Sequence, residues 1–217
     1  GEGCYFAGYD VALPTEYAYK SKSEGGIWEE GDLRRDESIR YDFTYLGITP
    51  TEVSWGADEL DPHIKKYEDE RTDQFNGNLA NEWYSGKNFI VLRYADVLLC
   101  YAECLNELGE TGEANTVVNQ VRARAWGGTL PNEMAWNYGQ DEFRVQIMDE
   151  RIRELCFEGW RRMDLIRTGK FVELIKERNP WAKKSGTIKE FHMRWPIPDT
   201  EIKNNSDISE EDQNPGY

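Results

Sequence analysis

The pattern of apolar and polar positions divides the chain into three parts. Residues 1–87 are rich in glycine, proline and aromatic residues and have little helical periodicity, which predicts loops, turns and short strands. Residues 88–178 follow the 3.6-residue period of α-helices, and residues 179–217 are irregular again. No Gly- or Ser-rich linker separates these parts, so residues 1–217 are predicted to form a single region.

Two helices at the start of the periodic part are predicted to form an antiparallel hairpin. The first spans about Phe89–Leu108 and carries apolar residues around most of its circumference, which predicts packing on two sides. Gly109 is suited to end it, and Thr111 is suited to cap a second helix that reaches Ala125. The length and the small residues of this hairpin are typical of a tetratricopeptide unit, and such units need stacked neighbours for stability.

Two later helices are predicted over Asp141–Arg167 and Phe171–Arg178. Alternating residues at 39–45 and 52–55 predict short strands. The predicted fold class is therefore mostly α, with a tetratricopeptide-like hairpin and long helices supporting a loop-rich irregular face with little β-structure.

The composition limits the partners. Hydrophobic residues make up 39% of the chain and glycine adds 19 residues, which is normal for a folded domain. The net charge of -15 argues against nucleic acid and against an anionic lipid surface, because both require clustered cations. There is no run of about 18 apolar residues that would span a membrane.

Three glutamates, Glu150, Glu154 and Glu158, lie four residues apart on one predicted helical stripe. They could be the carboxylate pair of a glycoside hydrolase. The same stripe carries apolar residues, however, and closely spaced like charges repel unless cations compensate them. We therefore favour structural ion pairs. Arg151 and Arg161 lie within helical reach of these acids, and Arg122 and Arg124 of the earlier hairpin are further candidate partners.

Other catalytic or metal-binding chemistry lacks support in the sequence. No nucleophile elbow, phosphate-binding loop, dinucleotide glycine motif or metalloprotease helix is present. The chain has two histidines and four cysteines without a C-x-x-C pair, so no metal and no cofactor is predicted. The cysteines are predicted to be buried, reduced thiols.

Aromatic residues supply the candidate ligand site. They make up 13% of the chain, and most of the eight tryptophans fall in loop-like segments. Flat rings beside polar side chains suit sugars, which offer apolar C–H faces and a rim of hydroxyls. Trp28, Trp55 and Tyr9 lie in the irregular segment next to acidic residues, and we take them as the candidate ligand-binding residues.

Two helical motifs are the most distinctive stretches, residues 93–103 (RYADVLLCYAE) and residues 150–165 (ERIRELCFEGWRRMDL). Shorter elements accompany them in a fixed order: DLRRD at 32–36, WPIP at 195–198 and QNPGY at 213–217. Together they resemble the SusD/RagB family of outer-membrane nutrient-uptake lipoproteins.

This resemblance implies a function that composition and periodicity do not indicate. Members of that family are mostly α-helical, with tetratricopeptide helix pairs, and are lipid-anchored on the extracellular face of the outer membrane. They cap a SusC-like TonB-dependent transporter and bind an oligosaccharide or polysaccharide, or in some cases peptides, for import, as in starch utilisation systems. The chain resembles the C-terminal part of such a protein, so the lipid anchor, the only membrane contact, would lie outside it. The matching motifs are scaffold motifs and do not identify ligand contacts.

The leading hypothesis is thus non-enzymatic glycan binding in a TonB-dependent uptake complex. A helical-repeat scaffold that binds only proteins is one alternative, and the tetratricopeptide-like hairpin permits it. A glycoside hydrolase using the stripe of Glu150, Glu154 and Glu158 is the other.

Overall fold

The structure is a computed structural model that describes residues 12–41, 61–68 and 87–217. Within those residues, α-helices predominate and the sheet content is one pair of two-residue strands, which confirms the predicted fold class. The helices are α1 (Glu16–Tyr19), α2 (Arg34–Ser38), α3 (Tyr94–Glu107), α4 (Thr111–Ala125), α5 (Gln140–Leu155), α6 (Arg161–Arg167), α7 (Phe171–Arg178), α8 (Pro180–Ser185) and α9 (Asp199–Asn204). Short 3₁₀ turns occur at Lys22–Glu24, Asn132–Met134, Glu190–Met193 and Glu210–Asp212.

The two strands are β1 (Ile39–Arg40) and β2 (His63–Ile64), and they pair antiparallel with Ile39 opposite Ile64. β1 falls at the beginning of the strand-like segment predicted at residues 39–45. Residues 42–45 and 52–55 lie outside the described residues.

Helices α3 and α4 form the predicted hairpin, which is the centre of the main hydrophobic core. The facing residues are almost fully buried and apolar: Leu99, Ala102, Leu105, Ala114, Val117, Val118 and Val121. Ala102 and Ala114 have no exposed surface, because small side chains let the two helices approach closely. Gly109 turns the chain with φ 85°, and helix α4 begins at Thr111 itself, with Glu110 rather than Thr111 at the N-cap.

Two asparagines of α4 fasten the loop that follows the hairpin. Asn119 accepts from the Trp136 amide at 2.8 Å and donates to the Trp136 carbonyl at 3.1 Å. Asn115 makes the same pair of bonds with Tyr138, at 3.2 and 2.9 Å. The loop backbone thus finds partners without a strand, and Trp136 is held in the core with its ring 5.6 Å from Phe143 of α5.

The prediction of a single helix over Asp141–Arg167 is wrong, because the helix is interrupted between α5 and α6. Phe157 and Gly159 have φ angles of 65° and 87°, which no α-helix accommodates. The carbonyls of Glu154 and Cys156 at the break accept from Lys66 Nζ, at 3.1 Å each. Side chains from elsewhere therefore take the place of the hydrogen bonds that a continued helix would make.

Helix α3 also differs from its prediction. It begins at Tyr94 rather than at Phe89, and its main packing partners among the described helices are α4 and α5. Tyr94, Val97, Tyr101 and Leu108 remain exposed. Cys100 and Cys104 of this helix are exposed free thiols, while Cys156 is buried as expected.

The chain forms two compact units, Gly1–Arg161 and Arg162–Tyr217. In the second unit the guanidinium carbon of Arg162 lies 4.8 Å from the centre of the Phe171 ring and 4.5 Å from the centre of the Trp195 ring. The segment predicted to be irregular at 179–217 contains α8 and α9. Asn179 begins α8 by accepting from the amides of Trp181 and Ala182, a capping signal that the sequence carries just before Pro180.

The last residues of the second unit bind the WPIP segment through side chains. The amide of Gln213 accepts from Ile197 N at 2.8 Å and donates to Ile197 O at 2.9 Å. Asn214 donates to the carbonyl of Trp195 and Tyr217 to that of Arg194, at 2.7 and 2.8 Å. The WPIP and QNPGY motifs are therefore two sides of one contact.

Candidate functional site

The densest group of ionisable side chains in the described residues surrounds Glu150, which has no exposed surface. One carboxylate oxygen accepts from Arg34 Nη1 at 2.7 Å. The other accepts from Arg122 Nη1 at 2.9 Å and from Arg153 Nη2 at 2.8 Å. Three guanidinium groups therefore enclose a single carboxylate.

Each of those arginines has further acceptors. Arg34 binds both carboxylate oxygens of Asp32, at 2.9 and 2.7 Å. Arg122 binds Glu29 at 2.6 Å and the carbonyl of Met134 at 2.8 Å, and its guanidinium stacks 4.8 Å from the Trp126 ring. These contacts satisfy the buried charges, as a low-dielectric interior requires.

Glu154 and Glu158 extend the cluster along the end of α5. Glu154 accepts from Arg34 at 3.0 Å and also contacts Arg93 and Arg124. Glu158 accepts from Arg93 Nε at 2.8 Å and from Lys66 Nζ at 2.6 Å. Both glutamates are buried, so the acidic stripe faces the protein interior.

The cations set the protonation of this cluster. Burial by itself would raise the pKa of Glu150, but Arg34, Arg153 and Arg122 outweigh it and hold the pKa well below its usual range. Burial likewise opposes ionisation of Glu154, and the charges of Arg34 and Arg93 again lower its pKa. Both side chains are carboxylates at neutral pH.

This arrangement is unsuited to glycoside hydrolysis. A general acid for that reaction needs a raised pKa and access to the leaving-group oxygen. Here the pKa values of Glu150 and Glu154 are lowered, and every carboxylate oxygen of the three glutamates accepts from at least one Arg or Lys. The cluster ties α2, α4 and α5 together.

The sequence predicts only some of the partners of the three glutamates. Arg122 and Arg124 contact Glu150 and Glu154 respectively. Arg161 donates to the carbonyl of Met148 at 3.1 Å, and Arg151 pairs with Asp96 of α3 at 2.9 Å. Four further cations bind the glutamates without being predicted by the sequence: Arg34, Lys66, Arg93 and Arg153. Arg34 lies in the DLRRD motif and Arg93 begins the RYADVLLCYAE motif, but nothing in the local sequence indicates that either motif contacts the glutamates.

The structure places Trp28, a candidate sugar platform, in the core instead. Its ring is 1% exposed, packs with Ile27 and Ile39, and donates from Nε1 to the Ala18 carbonyl at 2.6 Å. A ring in that position offers no free face to a ligand. Tyr9 and Trp55 lie outside the described residues. Among the described tryptophans, Trp195 and Trp181 are the most exposed, at 72% and 52%.

The described residues contain neither a cluster of metal-ligating side chains nor a helix that could span a membrane. No group of three or more histidine, cysteine, aspartate or glutamate side chains there could hold a metal ion. No helix in that part of the chain is both long and apolar enough to cross a membrane.

Comparison with known proteins gives a consistent result. The sequence model of the SusD family matches residues 13–217. SusD-like protein P2 of Formosa agariphila is 31% identical, over 98% of this chain and 41% of that protein. Starch-binding protein SusD of Bacteroides thetaiotaomicron is 28% identical, over 96% of this chain and 37% of that protein.

The similarity extends to a solved structure. The crystal structure of a SusD homolog from Bacteroides thetaiotaomicron superposes with a TM-score of 0.64 at 26% identity, covering 86% of this chain and 41% of that one. The chain spans about a quarter to two fifths of the length of the curated relatives it matches.

Proposed function

Because the chain belongs to the SusD family, we propose that it is part of a non-enzymatic glycan-binding protein of a nutrient-uptake complex. The proposed partners are a neutral oligosaccharide or polysaccharide and a SusC-like TonB-dependent transporter. The proposed location is the extracellular face of the outer membrane, held by a lipid anchor outside this chain. The observation that carries the proposal is the match to the starch-binding protein SusD over 96% of the chain.

The buried cluster supports a binding role rather than a hydrolytic one. Its glutamates hold helices together and have lowered pKa values, so they are not free to transfer protons to a sugar. The net charge of -15 disfavours acidic polysaccharides through repulsion, which is why a neutral glycan is proposed.

We place the aromatic platform at Tyr9 and Trp55. Trp28 is assigned a supporting role, since its buried ring anchors the segment after α1 against Ile39 and Cys156. Sugar rings need aromatic faces with polar partners around them, and in the sequence Tyr9 lies next to Asp10 and Trp55 lies near Asp58.

Affinity gel electrophoresis tests the binding. The 217-residue chain is run through native gels containing soluble starch or another neutral polysaccharide, and the same mixtures are assayed for reducing sugar. Retarded migration with no sugar released is the expected result. Release of reducing sugar by the purified chain would replace the proposal with a hydrolase, and unchanged migration across a broad panel would refute glycan binding by this chain.

Three variants test the location of the site. Trp55→Ala and Tyr9→Ala should weaken retardation while leaving the thermal midpoint unchanged. Trp181→Ala is the matched control, because it removes an exposed tryptophan that we do not place in the site. Equal retardation of all three variants would show that the platform lies elsewhere.

A further inference from the structure

Trp195 is an exposed ring on a fixed backbone. The residue is 72% exposed, more than any other described tryptophan. Asn214 donates from its side-chain amide to the Trp195 carbonyl at 2.7 Å, and Tyr217 donates to the carbonyl of the preceding residue at 2.8 Å. Pro196 follows and restricts Trp195 to extended conformations. The ring is therefore oriented without the help of a ligand.

The guanidinium of Arg162 lies over one face of this ring. Its central carbon is 4.5 Å from the centre of the Trp195 ring and 4.8 Å from the centre of the Phe171 ring, which is buried. Nη2 of Arg162 donates to the carbonyls of His192 and Met193, at 2.7 and 3.3 Å. The cation is thus fixed behind the tryptophan, and the opposite face of the ring is left to solvent.

Arg162 also has unused donors beside the ring. A guanidinium carries five N–H donors, and within the described residues Nε and Nη1 of Arg162 make no hydrogen bond. Sugars combine apolar C–H faces, which stack on aromatic rings, with hydroxyls, which accept from such donors. The pair of Trp195 and Arg162 offers both kinds of contact in one place.

We propose that Trp195 and Arg162 form a sugar subsite in the unit Arg162–Tyr217, in addition to the aromatic platform placed at Tyr9 and Trp55. One neutral hexose ring of a glycan chain stacks on the open face of Trp195, and its hydroxyls accept from Nε and Nη1 of Arg162. This inference rests on the proposed glycan binding and adds a contact point to it. Because the ring is already oriented, little conformational freedom is lost on binding.

The charges of this unit favour a neutral sugar. Residues 162–217 contain ten lysines and arginines and ten aspartates and glutamates, so the net charge of -15 comes from residues 1–161. The unit has no excess of cations that would attract a carboxylated or sulfated chain. Stacking and hydrogen bonds, rather than long-range attraction, therefore hold the sugar.

Two other roles for Trp195 fit these observations less well. A ring that only shielded Arg162 would be more buried, and Arg162 already contacts two carbonyls and the Phe171 ring. An anchor for a protein partner normally lies within apolar surface, whereas the nearby Arg194 and Asp199 are charged and exposed. The open tryptophan face is suited to a smaller ligand.

Indole resonances test the subsite directly in the 217-residue chain. The Nε1–H signals of the tryptophans, assigned in the wild-type protein, are followed by proton–nitrogen correlation NMR as maltohexaose, cellohexaose or xylohexaose is added. We expect a saturable shift of the Trp195 signal with at least one of the three. The signal of Trp181, which is also strongly exposed, should not move. No Trp195 shift with any of the three, or equal shifts of both signals, would overturn the proposal.

Substitutions test whether the flat ring is what binds. Trp195→Tyr keeps an aromatic face and should retain binding. Trp195→Leu keeps only apolar volume and should weaken retardation in gels of the corresponding polysaccharide by about three- to tenfold in affinity. Trp181→Leu is the matched control and should have no effect. Equal affinities of the Tyr and Leu variants would overturn the proposal, and a thermal midpoint lowered by several degrees in Trp195→Leu would assign the ring a structural role instead.

The gels also separate this subsite from glycan binding as a whole. If the wild-type chain and Trp195→Leu are retarded equally, glycan binding stands and the Trp195 subsite fails. If the wild-type chain is not retarded at all, both proposals fail. A weaker retardation of Trp195→Leu, reduced further when Trp55→Ala is added, supports both.

Discussion

Arg93 reaches from the start of α3 to the end of α5 and donates to both the carboxylate and the backbone carbonyl of Glu154. Three residues after Arg93, Asp96 pairs in the opposite sense with Arg151 at 2.9 Å. The two motifs at residues 93–103 and 150–165 are thus joined by reciprocal ion pairs. Neither stretch would bury its charges without the other, which gives a physical reason for their occurrence together.

Glu150→Gln should lower the free energy of unfolding by about 3–5 kcal/mol, because it leaves buried guanidinium groups without their counter-charge. Glu133→Gln, at an exposed site, should change it by less than about 0.5 kcal/mol. Urea titrations at pH 7 followed by circular dichroism measure both. Matching midpoints for the two variants would contradict the structural role of the cluster.

Acid should destabilise the protein through the same cluster. The pKa values of Glu29, Glu150 and Glu154 are all lowered in the folded state, so the unfolded state binds more protons as the pH falls. Their contribution is complete above the ordinary glutamate pKa of about 4.3 and is lost as pH falls through the lowered native values. When the thermal midpoint is measured from pH 7 to pH 3, it should therefore begin to fall once the pH is below about 5. The drop should be smaller in Glu150→Gln, and an equal drop would assign it to other groups.

Gly159→Ala should cost about 1–2 kcal/mol, because the residue has φ 87° and an alanine there is strained. A Cβ at this position would meet no atom within 4 Å, so the cost comes from the backbone alone. Gly112→Ala lies within α4, also in open space, and should instead stabilise by roughly 0.5–1 kcal/mol. Opposite shifts in the denaturation midpoints of the two variants are the expected result. A stabilising Gly159→Ala would show that the break between α5 and α6 tolerates a helical conformation.

Gln213→Glu should loosen the WPIP segment. The substitution keeps the shape of the side chain but removes the amide donor that binds the Ile197 carbonyl. Losing one such bond and placing a charge beside a carbonyl should cost about 1–3 kcal/mol locally. Hydrogen exchange of the Ile197 amide should accelerate by roughly tenfold or more, as about 1.4 kcal/mol corresponds to one factor of ten in an opening constant. Glu211→Gln, a neighbouring exposed site, is the control and should leave that exchange rate unchanged.

Much of the helical core could be predicted, because the residues that specify it lie close together in the sequence. The period of apolar residues in α3 and α4, with alanines at the closest approach and Gly109 at the turn, specifies a hairpin without reference to the rest of the chain. The same holds for the acidic stripe at Glu150, Glu154 and Glu158. Buried glutamates that lie close together require compensating cations, whichever part of the chain supplies those cations.

The helical fold class, the α3–α4 hairpin and the need for charge compensation can therefore be predicted from the sequence, since each follows from residues within a few helical turns of one another. The identity of the cations that bind the acids depends on long-range contacts, because Arg34 is 116 residues from Glu150 and Lys66 is 92 residues from Glu158. Long-range contacts also bury Trp28 and end the helix after α5, where Lys66 and Arg93 donate to the backbone carbonyls of Cys156 and Glu154. These outcomes depend on which residues, far apart in the sequence, are buried next to one another. The spacing of residues along the chain does not predict this.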